Sequence, residues 1–68
     1  MARYLVYIVR FKDPEKAFSS GNFRIVEAPS ASEAKRKGVE DLVLSGKGIE
    51  GKTLEQNLTR AKVELYKN

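Results

Sequence analysis

LEQNLTRAKVELYK, residues 54–67, carries two patterns at once, and the choice between them decides the fold. Alternation places Ala61, Val63 and Leu65 on one side and Lys62, Glu64 and Tyr66 on the other, the period-two signature of a strand. Leu54, Leu58, Ala61 and Leu65 also recur at helical spacing. The two patterns share residues, so each excludes the other over this stretch. The strand is preferred here, with a second helix as the alternative.

The chain before it supplies the partners that such a strand needs. RYLVYIVRFK, residues 3–12, is rich in β-branched and aromatic residues and reads as a strand. One side carries Leu5, Tyr7, Val9 and Phe11, the other Tyr4, Val6, Ile8 and Arg10. Both sides are largely apolar, which predicts a central strand covered on both faces. Turn formers follow, with Asp13-Pro14 opening a loop and Gly21-Asn22 closing it. FRIVEA, residues 23–28, is a second strand, antiparallel to the first, with Phe23 and Ile25 on one side and Arg24 and Val26 on the other.

Pro29 ends that strand, and Ser30 with Glu33 has the spacing of a capping box. A helix is expected from Ala31 to Leu44, with Ala31, Ala34, Gly38 and Leu42 in line and Val39 and Val43 beside them. Arg36–Glu40 and Lys37–Asp41 are charge pairs at i,i+4. Gly38 costs a helix interior roughly 1 kcal/mol against alanine, and close approach of the helix to the sheet would offset it. The expected fold is therefore α+β, a single small domain over residues 1–68, with order β-β-α-β and one helix packed on one face of an antiparallel sheet. The alternative order is β-β-α-α. The order β-β-α-β recurs in small ribosomal, phage and viral proteins, a likeness of fold that fixes no function.

Composition narrows the chemistry. With 68 residues, the chain buries about 60% of its unfolded surface at most. It has no cysteine and no histidine, so disulfides, thiolate or imidazole metal sites and histidine acid–base catalysis are all ruled out. The carboxylates show no spacing that predicts a coupled pair, and the serines have no evident base. The expectation is a non-catalytic protein without cofactor or metal. No segment reaches the roughly 20 apolar residues of a membrane span, and the longest apolar run, YLVYIV, is short for a secretory signal. A cytoplasmic protein with no membrane association is expected.

GKGIEGKT, residues 46–53, fits the phosphate-loop pattern G-x-x-x-x-G-K-S/T in every position. Such a loop works only between a buried strand and the helix that it opens. Here the preceding residues pattern as a helix, and only 15 residues follow Thr53. Gly46 is read as a helix C-cap and no nucleotide is expected.

The net charge is +4, from 13 basic and 9 acidic residues, which permits an anionic partner. Suppose Leu5, Val9, Phe11, Phe23, Ile25, Ala61, Val63 and Leu65 meet the helix. The other face then carries Tyr4, Val6, Ile8, Arg10, Arg24, Val26, Lys62 and Tyr66, with Arg60 at the strand's start. Tyr4, Arg10, Arg24, Arg60, Lys62 and Tyr66 would suit base stacking and phosphate neutralisation on single-stranded DNA or RNA. Val6, Ile8 and Val26 would form an apolar strip for self-association as a homodimer. The first expectation is a nucleic-acid-binding or nucleoprotein-associated module. The alternative is a protein–protein interaction, assembly or regulatory accessory.

Overall fold

The computed structural model describes residues 1–9 and 22–66. Strand β1 (Ala2–Ile8) is followed by β2 (Phe23–Ala28), helix α1 (Ala31–Leu44), helix α2 (Leu54–Arg60) and β3 (Ala61–Leu65). The three strands form one antiparallel sheet in the order β2-β1-β3, so β1 is central as its two apolar sides predicted, but among the described residues the helices cover one of its faces and not both.

Residues 54–65 form a helix and a strand in succession. Thr53 caps α2: its Oγ1 accepts from the Gln56 N–H at 3.2 Å, and Gln56 Oε1 accepts from the Thr53 N–H at 2.9 Å. This reciprocal pair is a capping box, and T-x-x-Q was legible in the sequence as its signal. The helix stops at Arg60, where Ala61 turns extended, at φ −81 and ψ 150. From there the chain pairs with β1, Ile8 opposite Ala61 and Tyr4 opposite Leu65. The exclusion expected between the two patterns is thus corrected: the helical stripe is used by Leu54 and Leu58, the alternation by Ala61 and Val63, and all four pack into or against one core. The α+β class stands, with two helices where one was expected among the described residues.

Helix α1 begins and ends where the sequence placed it. Ser30 Oγ accepts from the Glu33 N–H at 3.2 Å. At the other end Gly46 is left-handed, at φ +77. The Gly46 N–H then reaches Val43 C=O at 3.1 Å and the Lys47 N–H reaches Leu42 C=O at 2.8 Å, a Schellman cap. Arg36 meets Glu40 at 3.6 Å, but Asp41 bonds Arg24 of β2 rather than Lys37.

The assignment of sheet faces is reversed for β1 and β2. Val6 and Ile8 are buried in one core with Ala28, Ala34, Val39, Leu42 and Ala61, and Tyr4, Val26 and Val63 pack against it. The register puts Val6 opposite both Arg24 and Val63, so the even residues of β1 and β2 share the helix side with the odd residues of β3. Gly38 shows why β1 takes this phase. A Cβ built on it would lie 2.7 Å from both Cβ and Cγ1 of Val6, so the helix backbone rests directly on that side chain. The expected close approach is present, against a residue that had been assigned to the opposite face.

Candidate interaction surface

Strand alternation leaves a second face, turned away from the two helices. Its residues follow from the register as three cross-strand rows: Lys62–Tyr7–Phe23, Glu64–Leu5–Ile25 and Tyr66–Arg3–Glu27, the last closed by a Tyr66 N–H to Arg3 C=O bond of 2.9 Å. The middle row is apolar at its centre, with Leu5 half-buried and Ile25 46% exposed. Among the described residues, cations and carboxylates surround it in equal number, Arg3 and Lys62 against Glu27 and Glu64. Arg3 Nε lies 4.0 Å from Glu27 Oε2. Tyr7 is only 7% exposed. Burial first, and then the Glu64 carboxylate near it, push its phenol above the ordinary range for tyrosine.

The residues singled out from sequence do not come together on this face. Lys62 and Tyr66 belong to it, in separate rows. Tyr4 lies on the helix side, packed against the core. Arg24 is also on that side, where its guanidinium bonds the Asp41 carboxylate, Phe23 C=O at 2.8 Å and Ser45 Oγ at 3.2 Å. Arg60 is the exposed last residue of α2. Arg10 lies outside the described residues. Val6 and Ile8, two of the three residues proposed for a self-association strip, are 0% and 1% exposed, and Val26 packs against the same core. The strip is therefore interior, because α1 docks on it. Leu5, Ile25, Arg3 and Glu27 were not singled out. Their role as an outward face depends on which side α1 covers, and no local pattern encodes that.

The phosphate-loop-like stretch joins α1 to α2, two helices, where a phosphate loop joins a strand to a helix. It borders a shallow recess of about 340 Å³ lined by Val43, Gly46, Gly48, Ile49, Glu50, Lys52 and Asn57. Asn57, 1% exposed, organises this loop from within. Its Oδ1 accepts from the Ile49 N–H at 2.8 Å, and its Nδ2 donates to Thr53 C=O at 2.9 Å. The Thr53 hydroxyl and N–H are both engaged in the cap of α2. Among the described residues no group of three acidic, histidine or cysteine side chains could hold a metal ion, and no helix is long and apolar enough to cross a membrane.

Comparison with protein families, with curated proteins and with solved structures finds no match to this chain.

Proposed function

We propose that this chain is a small non-catalytic interaction module whose contact surface is the sheet face turned away from its helices, and that its ligand is a protein. The carrying observation is the Glu64–Leu5–Ile25 row, apolar at its centre and exposed at Ile25, with charges of both signs around it. An apolar centre with a polar rim is the anatomy of a protein contact. A nucleic-acid platform needs an excess of cations, and the described part of this face has two of each sign, Arg3 and Lys62 against Glu27 and Glu64. Arg24, whose charge would have tipped that balance, is bonded to Asp41 on the opposite side.

A photo-crosslinking residue placed at Ile25, and separately at Leu44 on α1, tests the reading in nuclease-treated extract of the native cells. Protein adducts specific to position 25 are expected, and they should fall when Leu5→Asp is added. Adducts at Leu44 alone would overturn the assignment of the face. A second reading, single-stranded DNA or RNA as ligand, draws on Lys62 and Arg60, both exposed and without a carboxylate partner among the described residues, with Tyr66 two rows from Lys62 on the same face. Fluorescence anisotropy with labelled oligonucleotides at low salt separates the two. Binding that weakens steeply with salt and disappears in Lys62→Glu would replace the protein reading with the nucleic-acid one.

A further inference from the structure

We infer that the outer edge of β3 is a self-complementary pairing site for a second copy of this chain. This edge borders the face proposed above and shares Lys62 and Glu64 with it, but the pairing does not depend on that reading. The inference starts from the hydrogen-bond phase of β3. The Val9 N–H bonds Arg60 C=O and the Tyr66 N–H bonds Arg3 C=O, both at 2.9 Å. In an antiparallel ladder, residues facing the neighbour alternate with residues facing away. Lys62 and Glu64 thus direct their backbone groups toward β1, while Ala61, Val63 and Leu65 direct theirs to the edge. β3 is an edge strand of the sheet. The Ala61 N–H is already taken by Leu58 C=O. Ala61 is moreover only 4% exposed, which withdraws its carbonyl from the edge. Among the described residues, that leaves at the edge both backbone groups of Val63 and Leu65.

A twofold axis through Val63 pairs the two copies of that residue. The Val63 N–H meets the partner's Val63 carbonyl, and the reverse bond follows by symmetry. The same register places Lys62 directly opposite the partner's Glu64, and Glu64 opposite the partner's Lys62, in the closer type of cross-strand pair. Neighbouring registers of the same phase lose this match. An axis through Ala61 sets Lys62 against the partner's Arg60, and an axis through Leu65 sets Glu64 against the partner's Tyr66. A lysine on an edge strand ordinarily guards against pairing. Here Glu64 two residues on turns that guard into a selector for its own sequence. The product is a six-stranded sheet whose two far faces lie side by side.

The test is the mass of the full chain in solution by light scattering over a range of concentrations, with circular dichroism to verify folding. Lys62 and Glu64 are both exposed, so reversing either leaves the core intact. A concentration-dependent dimer is expected. Lys62→Glu and Glu64→Lys should each weaken it about tenfold or more, and the double variant carrying both should restore it. Ile25→Asp should leave it unchanged, which separates edge pairing from association through the sheet face. A monomer at every concentration would overturn the inference, as would a dimer indifferent to the single reversals or one that the double variant fails to restore.

Discussion

Gly38 shows how one missing methyl group sets the height of a helix above a sheet. A Cβ there would meet Val6 Cβ and Cγ1 at 2.7 Å, inside any normal contact. Gly38→Ala gains roughly 1 kcal/mol of helix propensity, but overpacking costs about 1–3 kcal/mol. A net loss of up to about 2 kcal/mol is expected, visible as a lower urea midpoint at unchanged slope. A Gly38→Ala chain more stable than the parent would refute the close approach. Tyr7 supplies a prediction at alkaline pH. Its folded phenol titrates above its unfolded value, because burial and Glu64 both disfavour the anion. The native chain therefore keeps this proton longer than the unfolded chain does. The contribution is complete below the unfolded value, about pH 10, and is lost as pH rises through the raised folded value. In Tyr7→Phe, tyrosinate absorbance should lack a step above the ordinary phenol range, and the fall in stability above about pH 10 should be shallower.

At the scale of elements, α2 is the one held by its ends. It has seven residues, fewer than an isolated helix needs to persist in water. The capping box at Thr53 and Gln56, the packing of Leu54 and Leu58 and the buried Asn57 hold it together. Thr53→Ala should cost about 0.5–2 kcal/mol and speed hydrogen exchange at the Gln56 amide, whereas Thr53→Ser should behave like the parent. Equal exchange in the alanine variant would show that packing alone holds α2. The loop before it leads to a second prediction at this scale. It joins two helices, and its threonine is committed to a cap, so ATP or GTP with magnesium should not raise the melting temperature. A micromolar nucleotide site tested at a thousandfold excess would add about 4 kcal/mol, a shift of many degrees for so small a chain. A rise abolished by Lys52→Ala would overturn the prediction.

For the whole molecule, the helix-side core is small and each of its members matters. Leu42 is fully buried and Leu44, two residues on in the same helix, is 87% exposed. Leu42→Ala should cost about 2–5 kcal/mol, a large share of the stability that a domain of this size has, and thermal melting should broaden and fall or vanish. Leu44→Ala should stay within about 0.5 kcal/mol of the parent. Similar losses from the two would mean that α1 docks with a different face. Local signals determined the boundaries of α1, from the Ser30 cap to Gly46, since caps act through neighbouring backbone groups within a few residues. They also held the cue for α2, in Thr53 and Gln56. The central place of β1 followed from its two apolar sides. Which of those sides faced the helices did not, because alternation specifies only that Leu5 and Val6 point apart. That choice was made by the docking of Gly38 on Val6, between residues far apart in the chain. The same holds for residues 54–67: the pattern allowed helix and strand throughout, and the switch at Ala61 came from pairing with Ile8 on β1. The expected basic face was divided for the same reason. A one-residue phase sends a side chain to one side of a sheet or the other, and only the packed helix decides which side is inside.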